Sequence, residues 1–414
     1  MLRDRHIVIG VSGGIAAYKA ADVVSKLQQA GALVDVILTE RATEFVRPLT
    51  FSTLSHRPVY ADLWEPTGEA AARHIELGRA ADLLLVAPAT ANTVARLAHG
   101  MADDMLTAVA LACTAPLLVA PAMEHHMYQH PATQANLALL VERGATIIPP
   151  ESGHLASGDV GIGRFPETAT ILAYVRRVLG RNGDLAGQRV VVTAGGTQEP
   201  LDPVRYIGNR SSGRMGFALA EEARDRGADV RLIVGAVTAP IPPGIETRSV
   251  QTAVEMRDAV REAVKGADAL VMAAAVADYR VERPAAQKIK KGSAAENHDG
   301  SLTITLVRNP DILAELAADV DSNLVRVGFA AETGDLARNA SAKLLSKRLA
   351  LLVANDVSQP GSGFGTETNE VAIFHADGRI EQLTLLPKHE VAAAIWDRVV
   401  PLLEARTSER AAAH

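Results

Sequence analysis

Residues 10–16 form a glycine-rich turn between an apolar, strand-like run and an alanine-rich helical run. The backbone N–H groups of such a turn, together with the positive end of the helix dipole, are suited to binding a phosphate. The spacing is not G-x-G-x-x-G, so the dinucleotide fingerprint is absent. In many proteins a glycine turn of this kind only permits close packing. Ser12, Gly13 and Gly14 are therefore weak candidates for phosphate binding when taken alone.

Residues 87–93 supply a second candidate site, because small residues follow the third apolar run. Pro88 and Ala89 leave room for a flat ring, and Thr90 and Asn92 offer hydrogen-bonding side chains. The same residue types are good helix caps, which is the structural alternative. Thr39 follows the second apolar run, where an NAD-binding protein would place an acidic residue for the ribose.

The second half of the sequence repeats the strand-and-glycine-turn pattern. An apolar run from Val191 leads into a turn that contains Gly196. Farther along, residues 209–216 place Ser211 and Ser212 just before a helical run. Hydroxyls and free N–H groups at a helix start form an anion-binding nest, and an ordinary N-cap is the alternative.

The composition favours a two-domain protein that binds small ligands. The chain has 414 residues, which is too long for one ordinary hydrophobic core. Its net charge of −6 gives no reason to expect nucleic acid or an anionic membrane as a partner. The single cysteine, Cys113, excludes a disulfide framework and a multi-thiolate metal site. Because no membrane-length apolar run and no signal peptide are visible, we expect a cytoplasmic protein.

Strand-like and helical runs alternate along both halves of the sequence, which predicts two tandem, doubly wound, Rossmann-like α/β domains. A polar, glycine-bearing stretch near residue 182 separates them, so we expect domains at residues 1–180 and 187–414. Ligands on such sheets bind at the carboxyl ends of the strands, where the turns described above fall. Residues 371–385 predict a β-hairpin, and the chain end from residue 405 is expected to be frayed.

Residues 281–300 stand apart because they carry Lys288, Lys290 and Lys291 among Gly, Ser, Asn and Pro. A solvated surface loop is the plain interpretation of such a charge run. The alternative is a mobile flap that brings a lysine over a phosphate ligand.

Residues 1–178 resemble the flavin-containing cysteine decarboxylases. The matching segments are residues 13–19, 74–77, 81–82, 87–93, 100–104 and 121–123. The resemblance implies a flavodoxin-like domain that binds FMN between the subunits of a trimer and decarboxylates a C-terminal cysteine-like group. Flavin oxidation of the thiol gives a thioaldehyde that acts as an electron sink, and the ene-thiol left by decarboxylation is then reduced. His74 matches the catalytic base of the family. The implied FMN contacts are Ser12, Gly13, Gly14, Thr39, Pro88, Ala89, Thr90, Asn92 and Met123.

Two residues in this half depart from the family pattern. Glu124 replaces a substrate-binding asparagine, and an ionised carboxylate cannot donate a hydrogen bond to a substrate carboxylate. Glu124 must therefore be protonated, paired with a cation or turned away, with His125 or His126 as its replacement. Ser157 occupies the place of a cysteine that helps to reduce the ene-thiol in many members. Either Ser157, a neighbouring residue or water is then the last proton donor, or the last step is slow.

Residues 187–400 resemble phosphopantothenate–cysteine ligase. The matching segments are residues 191–197, 199–207, 209–216, 273–279, 288–291, 309–312, 328–333 and 354–357. The resemblance implies that CTP activates 4′-phosphopantothenate as an acyl-cytidylate, from which the amine of cysteine displaces CMP. Lys288 is implied to act in the first half-reaction, in which the acyl-cytidylate forms. Asn209, with Arg205 beside it, is implied to act in the second, in which the acyl-cytidylate reacts. Asp278 is implied to bind the nucleotide or its Mg²⁺.

The nucleotide contacts that this resemblance implies come from several segments. Carbonyls around residues 309–312, with Phe329, hold the cytidine. Lys343 and Lys347 lie one helical turn apart and grip the triphosphate, although such a pair is also common on an exposed helix face. The full set is Gly196, Ser211, Ser212, Ala273, Ala274, Asp278, Lys288, Asn309, Pro310, Asp311, Ile312, Phe329, Lys343 and Lys347.

The two resemblances together imply a fusion of consecutive enzymes that makes 4′-phosphopantetheine, a precursor of coenzyme A. Decarboxylase trimers linked by ligase dimers would give a homo-oligomer, expected to be a dodecamer. One alternative is an FMN-binding regulator with ligase activity only, which Glu124 and Ser157 motivate. The other is a tandem-Rossmann NAD oxidoreductase, which the missing fingerprints disfavour.

Overall fold

The computed structural model describes residues 2–64, 73–290, 301–318, 323–332, 342–356 and 365–412. The chain divides into two compact units, Met1–Gly180 and Arg181–His414. Both units carry a largely parallel sheet with helices between successive strands, so the predicted tandem doubly wound α/β class is confirmed. Residues 291–300 of the predicted flap, Thr333 and Val357 lie outside the described residues.

The first unit is built on a six-stranded, wholly parallel sheet in the order β3-β2-β1-β4-β5-β6. The chain winds outward from β1 and then returns to place β4 beside it. The carboxyl ends of these two strands therefore flank the switch point at which doubly wound sheets bind ligands. The strands are β1 (His6–Val11), β2 (Leu33–Leu38), β3 (Val59–Tyr60), β4 (Leu83–Ala89), β5 (Leu117–Pro121) and β6 (Thr146–Ile147).

Helices and one antiparallel hairpin complete the first unit. The helical run predicted from residue 15 begins as a 3₁₀ turn, Ile15–Lys19, before the α-helix starts. The helices are α1 (Ala20–Gln29), α2 (Pro48–Ser55), α3 (Arg73–Ala80), α4 (Ala91–His99), α5 (Met105–Ala112), α6 (His125–Gln129), α7 (Pro131–Glu142) and α8 (Thr168–Gly180). The hairpin pairs β7 (Glu151–His154) with β8 (Val160–Arg164).

Both faces of the central strand β1 are buried. Ile7 and Ile9 pack in one apolar cluster with side chains of α1 and α8. Val8, between them, packs in a second cluster with side chains of α4, α5 and α7. Successive side chains of a strand point to opposite faces, so a parallel sheet covered on both faces has nearly continuous apolar strands. The two cores hold the strand ends that carry the candidate site.

Asp35 is a charged exception within this apolar sheet. Its carboxylate is fully buried and accepts hydrogen bonds from Arg57 Nε at 2.8 Å and Nη2 at 3.0 Å, and from His6 Nε2. Burial raises the pKa of Asp35, but the hydrogen bonds from His6 and Arg57 outweigh that effect and hold the pKa below its usual range. The buried charge is therefore paired on both oxygens.

The second unit has an eight-stranded sheet in the order β13-β12-β9-β14-β17-β18-β19-β20. Its strands are parallel from β13 through β18, and β19 and β20 are antiparallel additions at one edge. These strands are β9 (Arg189–Ala194), β12 (Asp229–Val234), β13 (Glu246–Ser249), β14 (Ala269–Met272), β17 (Val325–Glu332), β18 (Leu351–Asp356), β19 (Thr368–His375) and β20 (Ile380–Pro387). Two small antiparallel pairs lie outside the sheet, namely β10 (Gln198–Pro200) with β11 (Tyr206–Gly208) and β15 (Tyr279–Val281) with β16 (Leu306–Arg308).

The described residues of the second unit include the helices α9 (Arg214–Asp225), α10 (Ala253–Ala263), α11 (Ile312–Ala318) and α12 (Lys388–Ala412), and residues 342–346 are also helical. The predicted hairpin is present as β19–β20, which pairs Phe374 with Ile380. The expectation of a frayed end from residue 405 is wrong, because α12 continues to Ala412. Its buried face, which includes Trp396, anchors the helix in the core. Within the described residues, no helix is both long and apolar enough to cross a membrane.

Candidate functional site

Ser12 ties the ends of β1 and β4 together in the first unit. Its buried Oγ donates to the carbonyl of Pro88 at 2.7 Å and accepts the N–H of Thr90 at 2.9 Å. The backbone N–H of Ser12 donates to the same carbonyl at 3.2 Å. Thr90 is the N-cap of α4, since its Oγ1 accepts the N–H of Thr93 at 3.3 Å. These predicted site residues therefore meet beside the switch point of the sheet.

The turn after Ser12 approaches a neighbouring backbone very closely. A Cβ on Gly13 would lie 2.6 Å from the carbonyl carbon of Arg41, so a side chain there would displace backbone. The N–H groups of Gly13 and Gly14 make no hydrogen bond to any residue in the described part of the chain. Thr39 opens the next turn by accepting a backbone N–H at 3.3 Å. A close-packed turn with free N–H groups is suited to binding a phosphate group.

Strand β8 packs against the residues that follow β5. The N–H of Met123 donates to the carbonyl of Gly163 at 3.0 Å. A Cβ on Gly161 would lie 2.8 Å from Cβ of His125, so glycine is required at this approach. Met123 is thereby fixed between the sheet end and the β7–β8 hairpin.

Glu124 is occupied by its own helix. It is the N-cap of α6, and its Oε2 accepts the N–H groups of His126 at 2.8 Å and Met127 at 3.2 Å. Its Oε1 lies 2.5 Å from Nδ1 of His125 and 2.9 Å from Nδ1 of His126. Desolvation raises the pKa of Glu124, but hydrogen bonds from Met127 and His126 outweigh it and lower the pKa. The Glu124 carboxylate therefore faces the start of its own helix and the two imidazoles.

Three further predicted residues of the first unit differ in burial and position. His74 is half-buried in the first turn of α3, and Asn92 is exposed in the first turn of α4. Ser157 is exposed at the tip of the β7–β8 hairpin. No hydrogen bond among the described residues joins His74 or Ser157 to Ser12 or Thr90, so their roles stay predictions.

A cavity of about 840 Å³ opens in the second unit at the carboxyl ends of β14, β17 and β18. Gly196, Arg205 and Lys288 are not among the residues that form its wall. The predicted residues that do line it are Asn209, Ser211, Ser212, Ala273, Ala274, Asp278, Asn309, Pro310, Asp311, Ile312, Phe329, Lys343 and Lys347. The structure thus brings together side chains from five separated segments.

The start of α9 forms one wall of this cavity. Gly213 is its N-cap with a φ of 84°, a left-handed conformation that favours glycine, and its N–H donates to Oγ of Ser211 at 3.3 Å. Asn209 is held by a hydrogen bond from Nδ2 to the carbonyl of Val276 at 3.0 Å. A Cβ on Gly196 would lie 2.5 Å from the Asn209 carbonyl oxygen, so Gly196 permits this close approach from outside the wall.

Asn309 and Asp311 belong to another part of the cavity wall. The side chain of Asn309 donates to the carbonyl of Ala277 at 2.8 Å, and its backbone N–H donates to the carbonyl of Asp278 at 2.8 Å. Asp311 Oδ2 pairs with Nζ of Lys347 at 2.8 Å. This part of the wall therefore contains Lys347, whose charge is partly balanced by Asp311, and a backbone segment that the hydrogen bonds of Asn309 hold in one position.

Sequence reasoning missed Lys388, which also lines the cavity. This lysine is buried, and its Nζ donates to the carbonyls of Thr366 at 2.6 Å and Thr368 at 2.9 Å. Burial lowers the pKa of Lys388. No local pattern could have identified it, because the residue reaches the cavity only after the β19–β20 hairpin has turned the chain back.

The two units define the protein class as a flavoprotein domain followed by a second α/β domain of pantothenate metabolism. Residues 1–180 match the family described as Flavoprotein. Residues 185–402 match the family described as DNA/pantothenate metabolism flavoprotein C-terminal domain. Together these two matches cover nearly the whole chain.

Full-length relatives narrow the class further. The chain is 45% identical over 413 residues to the coenzyme A biosynthesis bifunctional protein CoaBC of Bacillus subtilis, covering 99% of this chain and 100% of that protein. The protein of the same name from Vibrio cholerae is 45% identical over 394 residues, covering 95% and 97%. A solved C-terminal domain of a CoaBC protein is 34% identical, with a TM-score of 0.45, and covers 54% of this chain and 99% of that one. The chain belongs to the family of bifunctional coenzyme A biosynthesis proteins.

Proposed function

We propose that this chain catalyses two consecutive steps of coenzyme A synthesis. Residues 187–414 join cysteine to 4′-phosphopantothenate with CTP, and residues 1–180 decarboxylate the product to 4′-phosphopantetheine. The observation that carries the proposal is the cavity of the second unit, where an anion nest, two lysines and a fixed backbone segment converge. Family membership over nearly the whole chain supports both activities.

The ligase half must stabilise negative charge as the substrate carboxylate attacks the α-phosphate of CTP. The start of α9, with Ser211 and Ser212, offers hydroxyl and N–H donors to the phosphates. Lys343 and Lys347 add positive charge to the cavity wall. Because Lys347 is paired with Asp311 at 2.8 Å, the triphosphate must share or replace that partner. Preorganised donors of this kind lower the barrier because they need not reorient during reaction.

The cytidine and its metal ion are assigned to the Asn309 side of the cavity. The two hydrogen bonds made by Asn309 fix the backbone on which we place the base, and Phe329 lines the same wall. Asp278 is exposed at the cavity wall. A single carboxylate together with substrate phosphates is a usual ligand set for Mg²⁺, so Asp278 fits this role.

The decarboxylase half is assigned to FMN, with its phosphate at the turn of Ser12, Gly13 and Gly14. When bound, FMN supplies the oxidation of the substrate thiol and the later reduction that returns the electrons. His74 is assigned as the base that takes the thiol proton. Thr39, Pro88, Ala89, Asn92 and Met123 complete the proposed flavin contacts.

The substrate carboxylate needs a donor other than Glu124. Both neighbouring imidazoles, His125 and His126, turn Nδ1 toward Glu124. Because an ionised carboxylate only accepts hydrogen bonds, these Nδ1 atoms carry the ring proton, and Nε2 would donate to a substrate carboxylate only when the imidazole is protonated on both nitrogens. Ser157, a neighbouring residue or water supplies the final proton. The His125 and His126 proposal fails if alanine at both positions leaves the kinetics of CO₂ release unchanged.

The proposed function is tested by supplying the purified chain with phosphopantothenate, cysteine, CTP and Mg²⁺. We expect release of pyrophosphate followed by CO₂. Pyrophosphate without CO₂ from a yellow, flavin-containing protein would favour the second candidate, an FMN-binding regulator with ligase activity, which the occupied Glu124 carboxylate motivates. Release of neither product would refute the proposal.

We also propose that the chain assembles as decarboxylase trimers linked by ligase dimers. Closed symmetry would then give a dodecamer. Sedimentation equilibrium on the full chain measures the mass directly, and a monomer at micromolar concentration would contradict the assembly.

A further inference from the structure

The carboxylate of Asp202 is fully buried, and it accepts hydrogen bonds from backbone N–H groups and from the side chain of one arginine. Its Oδ1 accepts the N–H groups of Val204 at 2.8 Å and Arg205 at 2.9 Å. Its Oδ2 accepts Nε of Arg205 at 2.9 Å, Nη2 of Arg205 at 2.5 Å and the backbone N–H of Ile289 at 3.1 Å. The hydrogen bonds from the Arg205 side chain, followed by those from the backbone, hold the pKa of Asp202 far below its usual range. Asp202 therefore stays ionised and keeps these donors at neutral pH.

The same pair holds both polar backbone groups of Ile289. While Asp202 accepts the N–H of Ile289, Nη2 of Arg205 donates to its carbonyl at 2.9 Å. A further backbone bond joins the N–H of Ala285 to the carbonyl of Leu201 at 2.9 Å. Residues 285–290, here called the Lys288 segment, are thus docked on residues 201–205 at two points.

This docking fixes the backbone next to Lys288. The N–H of Ile289 belongs to the planar peptide unit that also contains the carbonyl of Lys288. A hydrogen bond to that N–H therefore orients one of the two peptide planes that flank the Cα of Lys288. The side chain of Lys288 is exposed, so the docking contacts do not bury it.

We infer that Asp202 and Arg205 are positioning residues that hold the Lys288 segment for the first half-reaction, with Arg205 acting through the backbone of Ile289. This inference rests on the proposed function, which assigns Lys288 to formation of the acyl-cytidylate. It also changes the role expected of Arg205, which the sequence placed beside Asn209 in the chemistry. Arg205 is not part of the cavity wall, and its guanidinium is committed to Asp202 and Ile289.

The contacts of Asp202 and Arg205 with the backbone of Ile289 are here called the clamp. Arg205→Gln and Ile289→Pro each break it, one from the side of the arginine and one from the side of the backbone. Glutamine cannot reproduce the planar fork that bonds Asp202 and Ile289 together, and proline removes the N–H that Asp202 accepts. Because displacement of a reacting group by about 1 Å costs about 100-fold, we expect kcat for pyrophosphate release to fall by about that factor with little change in the KM for CTP. Gln287→Pro is the matched control, since it introduces proline two residues earlier and leaves the N–H of Ile289 in place. It should remain within about twofold of wild type.

The decisive readout is a double-mutant cycle on the full chain, with pyrophosphate release measured for Lys288→Ala, Arg205→Gln and the double variant. If Arg205 acts only through Lys288, the double variant should be no slower than Lys288→Ala alone. Multiplicative losses would show that Arg205 acts on substrate independently and would overturn the inference. Equal losses in Gln287→Pro and Ile289→Pro would also overturn it.

A second readout does not depend on activity. Trypsin cleavage after Lys288, followed by mass spectrometry of the full chain, should be about tenfold faster in Arg205→Gln, because cleavage requires local opening of the segment. Unchanged cleavage would contradict the clamp. If Lys288→Ala keeps wild-type pyrophosphate release, the proposed role of Lys288 fails, while the cleavage rates still test whether Asp202 and Arg205 hold the segment.

Discussion

Replacing Ser12 by alanine should loosen the junction between β1 and β4 on which the flavin site is proposed. The change deletes a donor to Pro88 at 2.7 Å and an acceptor for Thr90 at 2.9 Å. Each intramolecular hydrogen bond contributes about 1 kcal/mol net, so the loss is about 2 kcal/mol. The carbonyl of Pro88 keeps the backbone N–H of Ser12 as a donor, so the N–H of Thr90 is the group left without its partner. For a unit of this size the melting temperature should fall by about 4–8 °C.

The assay heats the full chain with a fixed excess of FMN and follows the fluorescence of released flavin. The FMN concentration must be the same for every variant, because ligand binding itself raises the melting temperature. Ser25→Ala is the matched control, since among the described residues its hydroxyl makes one exposed contact, with Gln29 at 3.1 Å. It should stay within about 0.5 kcal/mol of wild type. Equal release temperatures for Ser12→Ala and Ser25→Ala would refute the reasoning.

Three further predictions concern charge and packing. Asp35 has a depressed pKa in the folded state, so its stabilisation is present above an unfolded pKa of about 4 and is lost as the pH falls toward the folded value. Asp35→Asn should therefore show a smaller drop in melting temperature between about pH 5 and pH 2, and an unchanged slope would contradict this. Lys388→Met should lower the free energy of unfolding by about 2 kcal/mol in urea titrations, because the carbonyl of Thr366 loses a charged donor at 2.6 Å; equality with wild type would contradict it. Trp396→Phe should lower the free energy of unfolding by about 2 kcal/mol, because it removes a hydrogen bond of 2.9 Å and leaves a small cavity. Trp64→Phe, at an exposed position, should leave the free energy of unfolding unchanged in the same urea titration.

Much of the fold follows from local patterns in the sequence. Alternating apolar strands and amphipathic helices predicted the doubly wound sheets, and residues 371–385 predicted the hairpin that pairs Phe374 with Ile380. The glycine turn at Ser12 was found because small residues between a strand and a helix are a local signal. The 3₁₀ turn at Ile15–Lys19 and the extent of α12 depend on packing against distant residues, which local propensity does not encode.

Side chains that act across long separations were harder to predict. Asp202 was visible only as part of a matching segment, and its contact with Ile289 spans 87 positions. Lys388 lies at the start of the last helix, and only the hairpin before it brings the residue to the cavity. Glu124 was recognised as a departure from its family, but its capping and pairing contacts required coordinates.

The central claim is that one chain carries two consecutive and separable activities. The most direct measurement quantifies pyrophosphate and CO₂ from the same reaction of the His74→Ala variant with phosphopantothenate, cysteine, CTP and Mg²⁺. We expect pyrophosphate at the wild-type rate and no CO₂, because the ligase residues lie in the second unit and His74 lies in the first. Wild-type CO₂ release by His74→Ala, or loss of pyrophosphate together with CO₂, would contradict the account.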